Sequence, residues 1–253
     1  VIILKSPREI ELMAKAGYVT AGALRVVRES IAPGISTGEL DRLVEEFYQK
    51  QGAIPAFKGY RGFPASICTS LNHQVVHGIP SKRVILQSGD ILSVDTGAIV
   101  DGYVGDAAAT YPVGEISPES AKLISATEAA LYQGIERAAV GNRLSDISAA
   151  IQQWVEAHGF SVVRDLVGHG IGQKMHEDPQ IPNFGPPGYG PRLLSGMVLA
   201  IEPMVNIGQY HVKTLADGWT VVTADGKLSA HFEHTVAITP RGPKILTTLD
   251  REG

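Results

Sequence analysis

Four carboxylates and one imidazole stand where this chain otherwise reads as core. Asp95 closes the apolar run 91–94, and Asp106 follows in a stretch that reads as a hairpin turned by Asp101-Gly102, a pair suited to a two-residue type I′ turn. With that turn, residues whose numbers add to 203 face each other, so Asp95 meets position 108 and Asp106 meets position 97. The two aspartates are then diagonal neighbours on one face, about 7–8 Å apart between backbones and able to share a cation. Glu202 interrupts the apolar strand 197–205 just ahead of Pro203. An unpaired carboxylate there costs on the order of several kcal/mol to bury, or is forced to protonate. Glu233 lies between His231 and His234 at the head of a strand over 235–238, and His169 sits in Gly168-His169-Gly170-Ile171-Gly172, where missing side chains let backbone and ligand approach closely.

Four anions brought together without cations repel and drive one another's pKa values upward, whereas two divalent ions supply the balancing charge. Oxygen-rich ligation with one nitrogen suits Mn, Fe(II), Co or Zn. With two ions about 3.5–4 Å apart, a water between them is deprotonated near neutral pH and can attack a carbonyl held against one metal. Other chemistries lack their motifs. The chain has no GxxxxGK[ST], no correctly spaced GxGxxG and no GxSxG, and His176-Glu177 lacks the second histidine of HExxH. The single cysteine, Cys68, falls in a strand-like segment over 66–71 and reads as buried packing; alone, it excludes an intrachain disulfide and a thiolate-rich zinc site.

These residues need elements to hold them. Ser6, Pro7 and Glu9 form a helix start with a capping box, followed by Ile10, Met13, Gly17, Ala21, Leu24 and Ile31 at helical spacing, and Pro33-Gly34 stops the helix. A second capping box, Ser36 to Glu39, opens a helix with Leu40, Leu43, Val44 and Phe47 on one face, ended by Gly52. Ser117-Pro118 opens a third helix with Leu123, Ile124, Leu131 and Ile135, and a fourth follows. Adding 107 to Gly34, Leu40, Val44, Phe47 and Gly52 gives Gly141, Ile147, Ile151, Trp154 and Gly159, and carries 88–95 onto 195–202, so Asp95 and Glu202 end the same apolar strand in two related halves. Glu233 resembles Asp106 in placement only with an offset of 127, which requires an insertion of about twenty residues around 210–228. Short Val- and Ile-rich strands joined by Gly-containing turns indicate antiparallel sheet. The expectation is an α+β fold: one domain over 1–253 in two pseudo-symmetric halves, about 1–115 and 116–253, each with two helices on its part of a curved antiparallel sheet.

Composition bounds the class. The 253 residues are 44% apolar, with 22 Lys and Arg against 26 Asp and Glu for a net charge of −4. That is enough apolar matter for a core, and no basic surface for nucleic acid or anionic membrane. No apolar run approaches the roughly 18 residues of a membrane span, and no signal-peptide layout is seen, so the expectation is a soluble cytoplasmic chain.

Val76-His77-Gly78-Ile79-Pro80, Gly89-Asp90-Ile91, Asp95, Gly105-Asp106, the His169 segment, His176-Glu177-Asp178-Pro179, Ile201-Glu202-Pro203-Met204 and Gly218-Trp219-Thr220, in this order, resemble the type I methionine aminopeptidases of the pita-bread metallopeptidase family. The resemblance runs over essentially the whole chain. It implies the duplicated α+β fold and removal of the initiator methionine from new proteins whose second residue is small, at nascent N-termini near the ribosome, by a monomer. It implies two divalent ions: His169 and Glu202 on one, Asp95 on the other, Asp106 and Glu233 bridging both. It gives His77 a role at the substrate amide, His176 a role in stabilising the tetrahedral intermediate and Glu202 a proton shuttle, with the substrate α-amine at the second metal. Tyr60, Phe63, Cys68 and Trp219 match the methionine pocket; Phe57 and Met175 depart from common family residues there, and Asn72 and Ser229 resemble positions near a monovalent-ion site. Xaa-Pro peptidases share the five ligands but usually carry a further N-terminal domain, whereas here the first helix starts at Ser6. The 32 residues between His169 and Glu202 leave no room for the helical insertion of the type II methionine enzymes. A non-catalytic module of the same fold, binding peptides without metals, is disfavoured by the presence of all five ligands.

Overall fold

The structure, a computed structural model, describes residues 1–250; the last three residues of the expected second half lie outside the described residues. Helix α1 (Pro7–Ser30) begins as its sequence requires: the Ser6 side chain accepts the Glu9 N–H, and the Glu9 carboxylate takes the Ser6 N–H at 2.7 Å. Helix α2 (Thr37–Lys50) is capped by Ser36, but the Glu39 carboxylate turns to the Arg42 guanidinium, so the second capping box is only half made. Its buried stripe is Leu40, Val44 and Tyr48, with Leu43 and Phe47 only half-buried. Tyr48 goes inside because its hydroxyl reaches Thr96 Oγ1 at 2.7 Å, which satisfies the one polar group it buries. Helices α3 (Pro118–Arg137) and α4 (Leu144–Ala157) follow, the first capped by Ser117. No helix among the described residues is long and apolar enough to cross a membrane.

The repeat is written in the backbone. Both α2 and α4 are 14 residues long and begin at positions related by the repeat. The left-handed glycines before them match, Gly34 at φ 96° and Gly141 at φ 94°, as do Gly89 at 100° and Gly196 at 95°. Gly34 donates to the Leu86 carbonyl at 2.8 Å and Gly141 to that of Leu193 at 3.1 Å, and the lone bridges Ser36–Ile85 and Arg143–Arg192 obey the same offset. Side chains at these places differ, so turn geometry and hydrogen bonds are what the two halves share.

All strand pairs among the described residues are antiparallel. The long hairpin Ile91–Val100 and Tyr103–Pro112 has the expected register, with Asp95 opposite Ala108 and Asp106 opposite Gly97. Positive φ at both Asp101 (50°) and Gly102 (80°) makes its turn type I′. In the second half, His234–Thr239 pairs with Val198–Ile201, which pairs with Gly168–Gly170. Among the described residues the strands divide into hydrogen-bonded sheets of four, three, three and five strands, so the curved surface is assembled in pieces. The pieces meet at the centre: Ala108 and Glu233 exchange backbone hydrogen bonds, the Thr110 hydroxyl is tied to the His231 backbone, and Thr235 Oγ1 accepts the Asp106 N–H at 3.0 Å. Helices cover the outside. α1 lies so close to the hairpin that a Cβ on Gly105 would sit 2.7 Å from the Gly17 nitrogen. α3 and α4 pack against each other through Gly134, where a Cβ would meet Ile151 Cδ1 at 2.8 Å, and Leu123, Leu131, Ile147 and Ile151 form the core beneath them.

Candidate metal centre

Asp95, Asp106 and His169 reach the centre from three strands, Glu202 from just past the end of the strand Val198–Ile201, and Glu233 from an isolated bridge to Ala108 ahead of the strand His234–Thr239, all held by the contacts between halves just described. Asp106, His169 and Glu233 place one ligand atom each within 4.8 Å of one another, as do Glu202, His231 and Glu233. His169 Nε2 lies 3.4 Å from Glu202 Oε1 and 3.8 Å from Asp106 Oδ2. Asp95 stands outside both groupings but meets the Asp106 carboxyl at hydrogen-bonding range. All five expected residues are therefore brought together. The expected equivalence of Glu233 with Asp106 changes, however: the His234–Ile201 register, continued by His231–Met204, puts Glu233 across from Glu202, the place Ala108 takes across from Asp95.

The charges identify what the centre lacks. Burial first, then the neighbouring carboxylates, pushes Asp95, Glu202 and Glu233 well above the usual carboxylate range, and burial raises Asp106 to about 7. Among the described residues no Lys or Arg pairs with any of them. Asp95 Oδ1, Asp106 Oδ1 and Glu233 Oε1 are buried without a hydrogen bond. Burial lowers the His169 pKa to about 4, so its ring is neutral at pH 7. Its Nδ1 faces the Gly170 carbonyl at 2.9 Å and must be the donor there, which leaves the Nε2 lone pair aimed at two carboxylates. Lone pairs converging on one buried point are stable only around protons or cations, so the donor set fits divalent metal.

The glycines around His169 have a different use from the one expected. A Cβ on Gly168 would lie 2.4 Å from the Ala200 carbonyl oxygen, and one on Gly170 2.0 Å from that of Asp178. They let strands pass close to the histidine, rather than admitting a ligand to the backbone.

Around the carboxylates lie the remaining expected residues. His77, with φ 60°, is half-buried, and burial, then the nearby His176, lowers its pKa. His176 is exposed at the rim, its ring 4.3 Å from that of His169, with Tyr60 Oη 2.8 Å from its Nδ1. Phe63 and Trp219 meet edge to face at 5.1 Å, and Cys68 pairs across the sheet with Asp95. Burial, with Asp95 adding to it, pushes the Cys68 thiol well up, as suits packing rather than nucleophilic attack. Phe57 and Met175 belong to the same apolar cluster as Phe63 and Cys68, with Tyr60 and Trp219 packed on its edge. An open cavity of about 390 Å³ adjoins it, bounded by Tyr60, Met175 and His176 among others. Ser229 donates its N–H to the Asn72 carbonyl at 3.0 Å, so those two positions are also neighbours.

A model of metallopeptidase family M24 matches residues 11–240. The methionine aminopeptidase of Clostridium perfringens is 62% identical over 248 residues, 98% of this chain and 99% of its own length. The chain belongs to the methionine aminopeptidases of family M24. Its enzyme class is therefore that of a metallopeptidase, a hydrolase. The crystal structure of the methionine aminopeptidase of Thermotoga maritima is similar at a TM-score of 0.96 and 50% identity, over 98% of this chain and 100% of that one. The prolidase of Pyrococcus furiosus shares the fold at a TM-score of 0.79 and 25% identity, over 98% of this chain and 66% of its own. The Xaa-Pro alternative thus has the fold in common with the methionine aminopeptidases but is a much weaker match.

Within this member of the M24 family, one residue at the centre escaped sequence reasoning. His231 is buried, both its ring nitrogens lack a hydrogen bond, and Nε2 lies 3.9 Å from Glu202 Oε2. Its signal was present: residues two apart on a strand share a face, and His231 is two before Glu233. His234, the other flanking imidazole, faces away, towards Thr247 and Tyr132.

Proposed function

We propose that the chain is a dinuclear aminopeptidase that removes the initiator methionine from new polypeptides whose second residue is small, working as one catalytic domain over 1–253. The observation that carries this reading is the convergence of four carboxylates with no Lys or Arg partner among the described residues, three of them with a buried oxygen that lacks a hydrogen bond, and the Nε2 lone pair of His169 beside an apolar cluster. His169 and Glu202 would hold one ion and Asp95 the other, with Asp106 and Glu233 available to both. When bound, the two ions neutralise the carboxylates, acidify water and polarise the scissile carbonyl. The protein does the rest. Tyr60, Phe63, Cys68 and Trp219, in one apolar cluster with Phe57 and Met175, receive the methionine side chain and exclude water from it. The carboxylate of Glu202 takes the proton of the attacking water and hands it to the leaving amine. His77 donates to the substrate amide. His176, kept neutral by partial burial and the Arg61 guanidinium, donates an N–H to the oxygen on which negative charge develops. The free α-amine of the substrate, in its neutral form, would lie at the second ion, and since only a chain terminus offers such a group the enzyme is an exopeptidase.

The reading extends to a monomer acting in the cytoplasm on chains leaving the ribosome, with no nucleic-acid contact of its own; the mildly acidic net charge of −4 supports the last point. Co, Mn, Fe(II) and Zn all suit the donor set. The deciding experiment compares purified, metal-loaded protein on Met-Ala-X, Met-Gly-X and X-Pro peptides. Met-Ala-X and Met-Gly-X are expected to be cleaved fastest. Faster cleavage of X-Pro would replace this reading with the Xaa-Pro one, and full activity after chelation would remove the metals from it.

A further inference from the structure

The segment ahead of α1 crosses behind the loop that carries His176. Lys5 and Glu177 form an ion pair there at 2.6 Å, with side chains only 4% and 7% exposed. Lys5 is itself fixed: Nζ donates to the Ile3 carbonyl at 3.2 Å, and its backbone N–H donates to that of Gly196 at 2.7 Å. Glu177 opens the strand Glu177–Ile181 immediately after His176, and its second oxygen accepts the Lys174 N–H at 3.2 Å. The loop 171–176 is closed by Gly172 donating to the Lys174 carbonyl at 3.1 Å and is tied to the hairpin by Val104 donating to the Gly172 carbonyl at 2.9 Å. A Cβ on Gly172 would lie 2.6 Å from both Glu177 Oε1 and Lys5 Cε, so the pair rests flat on the loop backbone.

Neither residue belongs to the carboxylate groupings, and the reaction has no use for their charges. A buried ion pair is weak evidence of stability, since an apolar pair of similar volume often does as well. What charge adds is direction. An ammonium on one carboxylate oxygen leaves the other aimed at a loop amide two residues before the imidazole.

We infer that Lys5 and Glu177 are positioning residues for His176, making the N-terminal segment a strut that holds the 171–176 loop in its reactive placement. The inference rests on the role given above to His176. The test uses the metal-loaded full chain and a Met-Ala-X peptide, with Mn(II) affinity measured by calorimetry. Lys5→Met is expected to lower kcat about 10- to 100-fold, the cost of a misplacement on the order of 1 Å. KM is expected to stay within about twofold, because ground-state binding is untouched. Mn(II) affinity should be unchanged, and Lys5→Arg should recover most of the rate. In a His176→Ala background, Lys5→Met should cost nothing more. Lys5→Met/Glu177→Met leaves no buried charge unpaired, and it should fold normally yet remain slow. Wild-type kcat in folded Lys5→Met or in the double variant, a rate loss that tracks weaker Mn(II) binding, or an undiminished loss in the His176→Ala background would each overturn the inference. If His176→Ala alone runs at the wild-type rate, the role of His176 falls first; if it is slow and Lys5→Met adds fully, only the strut falls.

Discussion

His169 shows how one hydrogen bond gives a side chain its task. With Nδ1 donating to the Gly170 carbonyl, the ring has one tautomer and its free lone pair has one direction. Glu202 receives that direction at 3.4 Å and has His231 on its other oxygen at 3.9 Å, so an imidazole stands on either side of its carboxylate. The same residues set the pH response of the metal-free protein. Burial holds His169, His231 and His234 at about 4, 3 and 4, below the ordinary 6.5, so their contribution to stability is complete above pH 6.5 and is lost as pH falls. The raised carboxylates act oppositely: the folded state holds their protons longer, and stability falls as pH rises through the folded value, about 7 for Asp106. Below pH 6.5 the two groups partly cancel; between pH 6.5 and 8 only the carboxylates change. Scanning calorimetry of metal-free protein should therefore give a Tm that declines from pH 6.5 to 8, and the Tm gained on adding Mn(II) should be larger at pH 8. A metal-free Tm that rises over that interval would contradict the buried, protonated carboxylates.

At the level of elements, the site depends on how closely α1 lies on the hairpin that carries both aspartates. Gly17 and Gly105 allow that approach, and a Cβ on Gly17 would also come within 2.2 Å of the Leu246 carbonyl oxygen. Helical spacing places Gly17 on the inner face of α1, but nothing in the spacing says that its partner is another glycine, since that depends on which strand the helix covers. Gly105→Ala is expected to destabilise the fold by about 1–3 kcal/mol through overpacking. At roughly 2–4 °C of Tm per kcal/mol for a chain of this size, the loss should be readable by calorimetry. The hairpin itself was legible because a two-residue turn with Asp101-Gly102 fixes the register on both sides of it. Glu233 was less so. Its strand is set by pairing with Val198–Ile201 across a long intervening excursion, and a numerical offset cannot stand in for that pairing.

The molecule as a whole is two related halves whose cross-half hydrogen bonds run through the site itself, from Asp106–Thr235 to Thr110–His231. Ions held there as proposed would tie the halves together as well as serve the reaction. A ligand at about 100 times its Kd adds about 2.7 kcal/mol to stability. Chelation should accordingly abolish cleavage of Met-Ala-X and lower Tm by about 5–10 °C. Mn(II), Fe(II) or Co(II) should restore both together; return of activity with no change in Tm would separate the ions from the joint between halves.

By itself the sequence determined the local geometry: caps and breakers at Ser6, Ser117, Gly34 and Gly141, the type I′ hairpin, and the residue types able to ligate metal. These follow from a few neighbouring residues or from one repeated pattern. Tertiary structure alone decided the rest, because each such feature joins segments far apart in the chain. It put Glu233 opposite Glu202, turned His231 inward, assigned the glycines beside His169 to strand packing, and buried Lys5 against Glu177. A lysine five residues from the start reads as a solvated charge until the strand it lies behind is known.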